Sequence, residues 1–187
     1  MTPDEARALM EEWTQSEALR IHAESVAACM AACADKHAPG DAQERDRWVI
    51  AGLLHDFDYE RYPTMEDHPT RGVEFLRANT DLDEGVIHTI LAHAPHTGTT
   101  RDSMMDKCIF AVDELAGFIV ACCKVRPNGI ADLAPKSVKK KLKDKAFAAA
   151  VNRQDIALGI EELGVDPTEH IQLCIDAMRA EKDRLGL

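Results

Sequence analysis

Apolar residues recur at helical spacing along nearly the whole chain. A short first helix is predicted over about Pro3 to Glu12. Ser16 can cap a long second helix through Ala34, with Leu19, Val26, Ala27 and Met30 forming its apolar stripe. Asp41 can cap a third, running from Ala42 to about His55. The polar, turn-rich stretch from Asp58 to Asp67 reads as a loop. His68-Pro69 opens a fourth helix carrying Val73, Phe75 and Leu76, with Pro69 suited to the first turn. Asp83 to His93 makes a fifth, stopped by Pro95. A long sixth spans about Ser103 to Val125 and ends before Pro127-Asn-Gly129. Ser137 is read as the cap of a basic helix, Val138 to Ala150. Two last helices follow, Arg153 to Leu163 and Pro167 to about Arg184. Nowhere do apolar and polar residues alternate long enough for a strand, and no repeat or composition break divides the chain. The expected fold is all-α, one domain over residues 1–187.

Composition narrows the class. At 187 residues the chain can bury a sizeable core, and 45% hydrophobic with 29% charged residues suits a globular protein. No apolar run reaches about 18 residues, so no membrane span or membrane partner is expected. The start, Met1-Thr-Pro-Asp-Glu-Ala-Arg, is too polar for a signal peptide, which points to the cytoplasm. The six cysteines, Cys29, Cys33, Cys108, Cys122, Cys123 and Cys174, lie among apolar residues and read as small buried hydrophobes. A net charge of −11 argues against a nucleic-acid polymer as partner, but not against one small phosphorylated molecule.

The candidate chemistry starts at His55-Asp56, where the apolar run from Trp48 ends. The pair sets an imidazole and a carboxylate together at the edge of a core, as the start of a metal site. His22 lies in an otherwise apolar helical stripe, and Asp113 is a carboxylate inside the apolar run Cys108 to Ile119. A carboxylate so placed is costly unless it is paired or metal-bound. Imidazole and carboxylate together favour divalent transition metals. His88, five positions before His93, lies roughly 140° round the helix from it and is left out. His37 and His170 read as surface residues in polar contexts.

The series His22, His55-Asp56, Asp113 resembles the H…HD…D signature of the HD-domain superfamily of metal-dependent phosphohydrolases. His68-Pro-Thr-Arg-Gly72 is similar to the His-Pro-x-x-Gly segment of members with extra histidines, and Thr89-Ile-Leu-Ala-His93 to their next motif. The resemblance covers about residues 16 to 125, leaving a helical extension over about 126–187 that looks like that of an uncharacterised predicted-hydrolase group. It implies that His22, His55, Asp56 and Asp113 hold one metal (Mn, Fe, Co, Ni or Zn). His68 and His93, with Asp56 bridging, would hold a second, and His96 is a further candidate ligand or a group facing substrate. Phe57 and Asp58 stand where the His-Asp-Ile-Gly form has Ile and Gly, and Tyr59 follows instead of Lys, so cyclic-dinucleotide hydrolysis is not implied.

The implied reaction is attack by metal-activated water on a small phosphorylated substrate, a nucleotide being the favoured example, with His55 and Asp56 at its heart. A second carboxylate is expected to orient the histidines. Asp58 and Glu60 read as members of a solvated loop near the mouth. Arg101 is the preferred phosphate binder and Arg20 the next; Arg61 is another cation nearby, while Lys107 falls roughly 120° off the Asp113 face. The run Lys139 to Lys145 reads as a solvated face, or else as a lip that draws anions in. Two other functions compete: a di-iron HD-domain oxygenase, and a non-enzymatic metal- or nucleotide-binding module.

Overall fold

The computed structural model describes residues 1–187 and contains ten α-helices and no strand. They are α1 (Pro3–Trp13), α2 (Glu17–His37), α3 (Ala42–Leu54), α4 (Thr70–Asn79), α5 (Glu84–Ala92), α6 (Met104–Lys124), α7 (Pro135–Leu142), α8 (Arg153–Leu163), α9 (Pro167–Ala180) and α10 (Lys182–Leu185). A single 3-10 turn, Pro95–Thr97, separates α5 from α6. No helix is long and apolar enough to cross a membrane.

Local chemistry sets most boundaries. Side chains of Thr2, Ser16, Asp41, Asp83, Ser103, Asn152 and Asp166 accept hydrogen bonds from first-turn amides that would otherwise lack partners. At Thr2 and Ser103 the third helical residue, Glu5 or Asp106, returns the bond to the cap amide, closing both ends of the box.

The basic helix departs from expectation. It starts at Pro135, not after Ser137, and stops at Leu142 rather than Ala150. Residues beyond it turn back under Arg153, whose guanidinium donates to the carbonyls of Leu142, Asp144, Phe147, Ala148 and Val151. Those carbonyls find a shared donor outside any helix, so the segment needs no helical ladder. The last predicted helix is divided at Glu181 into α9 and α10, and Pro69 caps α4 from outside rather than sitting in its first turn.

Helices α2, α3 and α6 form the centre of the molecule. The α2–α3 contact is close because Gly52 lies against the backbone of Ala27; a Cβ there would sit 2.7 Å from the Ala27 Cα. On the other side of α6, Gly159 of α8 lies on Ala111 in the same way, at 2.6 Å. One continuous apolar core runs from Met10 and Val26 through Leu53, Ile109 and Phe118 to Ile171, Ile175 and Met178. Burying that surface is the main drive for assembly. All six cysteines are buried free thiols. His170 is buried too, donating from Nε2 to the Ala111 carbonyl at 3.3 Å, and burial lowers its pKa. It is a core residue, not the surface one expected.

Candidate metal centre

The close α2–α3–α6 packing brings three helix-borne groups to one point. His22 projects from α2, Asp113 from α6, and His55 follows the last residue of α3. His22 Nε2 lies 3.0 Å from Asp113 Oδ1, 3.1 Å from His55 Nε2 and 3.6 Å from Asp56 Oδ2. His55 Nε2 is 3.5 Å from the same Asp56 oxygen and 3.6 Å from Asp113 Oδ1.

A second group forms on the other oxygen of Asp56. Its Oδ1 lies 3.1 Å from His68 Nε2 and 3.3 Å from His93 Nε2, and these two nitrogens are 3.3 Å apart. His68 comes from the turn before α4 and His93 from the residue after α5. Asp56 therefore offers one oxygen to each group. His55, His68 and His93 are buried, whereas the His22, Asp56 and Asp113 side chains keep about a fifth of their surface exposed, so the centre opens to solvent beside these three.

The outer nitrogens show what the inner ones can do. His55 Nδ1 donates to the Gly52 carbonyl at 2.8 Å, and His93 Nδ1 donates to the Ile90 carbonyl. His68 Nδ1 donates to Asp58 Oδ1 at 2.7 Å. In a neutral ring, an Nδ1 proton leaves a lone pair on Nε2. The His68 and His93 lone pairs face each other and Asp56 Oδ1, and that of His55 faces the His22 ring and oxygens of Asp56 and Asp113. That arrangement is repulsive unless positive charge lies within it.

The proton equilibria report the same demand. Burial penalises the His55 cation, yet Asp56 and Asp113 outweigh it and raise its pKa well above the ordinary value. Burial also opposes the His68 cation, and its bonds and charges with Asp56 and Asp58 still lift it to about 9. Asp56 is held well below the usual carboxylate range: burial is overcome by His55, His68 and His93. Asp113 is likewise lowered, by His22 and His55 against burial. A cation can replace these protons. Ligand atoms about 2.1 Å from a shared ion stand about 3.0–3.4 Å apart in octahedral or tetrahedral geometry, close to the spacings found here. The donor set, imidazole and carboxylate without thiolate, suits a divalent transition metal.

A model of the HD domain matches residues 19–117, more than half of the chain. The chain belongs to the HD-domain superfamily of metal-dependent phosphohydrolases. No curated protein and no solved structure matches it. The matched HD segment contains both donor groups, from His22 to Asp113.

Several expected contributors lie elsewhere in this HD fold. His96 joins neither group: its Nε2 donates to the His68 carbonyl at 2.8 Å, and it supports the turn instead. Both oxygens of Glu162 take Arg101, each at 2.6 Å, and its guanidinium lies over Phe110. Arg20 donates to the Thr14 and Glu11 carbonyls, closing the end of α1. Arg61 donates to the Glu12 carbonyl and stacks on Trp13. None of the three is a free cation beside the centre. Lys140 and Lys141 of α7 line a cleft with Cys122 and Arg126. Cys122 is nine residues beyond Asp113 on α6, about 13 Å along the helix, so the cleft of Lys140 and Lys141 is set apart from the centre. Glu60 accepts the Gln15 and Ser16 amides at the start of α2. Asp58, expected in a solvated loop, is fully buried behind His68. The only sequence signal for it was its place two residues after Asp56.

Proposed function

We propose that this protein is a phosphohydrolase using two divalent transition-metal ions on a small phosphorylated molecule, a nucleotide being the favoured class, in the cytoplasm. The observation that carries the reading is the divided carboxylate of Asp56, with Oδ2 toward His22 and His55, which also meet Asp113 Oδ1, and Oδ1 toward His68 and His93. Bound there, such ions supply a lowered pKa for water and positive charge for phosphoryl oxygens. His55 and His93 are fixed by carbonyl bonds, so their Nε2 lone pairs stay aimed inward. Asp56 and Asp113 bring negative charge that only cations neutralise, and their partial exposure leaves a path for substrate and water. The net charge of −11 favours a small ligand over a nucleic-acid polymer.

The test is release of inorganic phosphate from a panel of nucleotides and sugar phosphates after loading with Mn2+, Co2+ or Fe2+. Asp56→Ala is expected to lose both metal and turnover while keeping its helical circular dichroism. Full metal and turnover in that variant would overturn the site assignment.

One observation favours a second reading. Arg20, Arg61 and Arg101 are all engaged elsewhere, so no arginine clamp for phosphate stands at the centre. An oxygenase reaction at a di-iron centre needs no such clamp. Turnover with O2 uptake that stops entirely without O2 would establish this second reading over hydrolysis. A protein that binds metal fully and turns over nothing would instead be a binding module.

A further inference from the structure

The histidines of the centre differ in what holds their outer nitrogens. For His55 and His93 it is a backbone carbonyl, which is neutral. For His68 it is the carboxylate of Asp58, at 2.7 Å, in a site with no solvent exposure. The other Asp58 oxygen accepts the Gly72 amide at 2.8 Å. The Asp58 carbonyl accepts the amides of Arg61 and Tyr62, at 3.0 and 2.9 Å. Backbone and side chain are therefore both pinned. The cradle also explains the glycine four residues after His68: a Cβ on Gly72 would lie 2.7 Å from Asp58 Cγ. Asp58 occupies the position where the His-Asp-Ile-Gly form has a glycine, and a glycine there could bring no carboxylate to His68.

We propose that Asp58 is a positioning residue that selectively strengthens metal binding by the His68–His93 half of the centre. Its two oxygens face two donors, His68 Nδ1–H and the Gly72 amide. In the neutral ring this keeps the His68 proton on Nδ1 and the lone pair on Nε2, facing Asp56 and His93. A carboxylate acceptor also makes the imidazole a stronger base than a carbonyl acceptor does. The His22–His55–Asp113 half has no equivalent carboxylate behind it. The two halves are thus built to hold their ions with different strengths.

Asparagine at this position has one acceptor and one donor for two incoming N–H groups. With its oxygen toward His68, the Gly72 amide loses its partner. With its nitrogen toward His68, the ring must accept at Nδ1 and carry its proton on Nε2, where the metal would be. The inference rests on the two-ion reading, and the experiment separates the two. Metal-free wild type, Asp58→Asn and His68→Ala are titrated with Zn2+, and the melting temperature of each metal-free protein is recorded. Wild type is expected to bind two ions and His68→Ala one. Asp58→Asn is expected to bind the first ion as wild type does and the second about 10–100-fold more weakly.

A second-ion affinity within twofold of wild type in Asp58→Asn would overturn the role of Asp58 alone. Equal weakening of both ions would also overturn it, because that is the mark of a general structural loss. Should Asp58→Asn fail to fold, Gly72→Ala is the second variant, since it keeps the carboxylate but displaces it. Selective loss of the second ion there supports the inference, and wild-type binding of both ions overturns it. A wild type that takes up one Zn2+, with no change in His68→Ala, would overturn the two-ion reading and this inference together.

Discussion

His68 carries the most readable proton in the molecule. Its metal-free pKa, raised to about 9, keeps it mostly charged at pH 7. The ordinary value is about 6.5, so the folded protein favours the cation throughout the window between them. A metal must displace that proton to reach Nε2. Apparent metal affinity is therefore expected to rise with pH through this window and to level off above about 9. Loading at pH 7 should release protons, measurable by calorimetry in buffers of different ionisation enthalpy. Loading without proton release, at an affinity flat from pH 6.5 to 9, would contradict the assignment of His68. At this scale the sequence was readable where a residue clashes with its own surroundings. Asp113 stands out as a carboxylate in an apolar helix, and His22 as an imidazole in an apolar stripe. Asp58 did not stand out, because the groups that explain it lie 10 and 14 residues away. Arg101 looked like a free cation because Glu162, its partner, is 61 residues further on.

Most helices were legible because they carry their own start signal and one apolar face. The cap at Ser16, Asp41, Asp83 or Ser103 needs nothing beyond the next three residues. The segment after Leu142 was not legible in that way, since Arg153 organises it from outside. The close approach of α2 and α3 is another property of the pair rather than of either sequence. It depends on Gly52, which leaves room for the Ala27 backbone. Gly52 also supplies the carbonyl that orients His55, and α2 carries His22. Gly52→Ala is therefore expected to force the two helices apart. A loss of about 1–3 kcal/mol in unfolding free energy is the usual scale for overpacking. Weaker metal binding should accompany it, because His22 and His55 would separate. Denaturant unfolding and metal titration check both effects, and unchanged stability with unchanged metal affinity would show that the contact does not set the ligand spacing.

Across the whole molecule, the HD segment and the C-terminal helices share the α6 surface. Helix α8 packs on α6 through Gly159, and Arg101 joins Glu162 across the same contact. The Asn152 amide, just before α8, donates to Glu114, the neighbour of Asp113. The extension thus braces the helix that carries one candidate ligand. Five donors from five places along the chain surround one carboxylate, Asp56, and the functional reading depends on that carboxylate serving two ions. The most direct measurement is anomalous diffraction from crystals of metal-loaded protein. Two peaks per chain are expected, one among His22, His55 and Asp113 and one beside His68 and His93, with an Asp56 oxygen on each. A single peak, or two peaks that do not share Asp56, would contradict the two-ion reading.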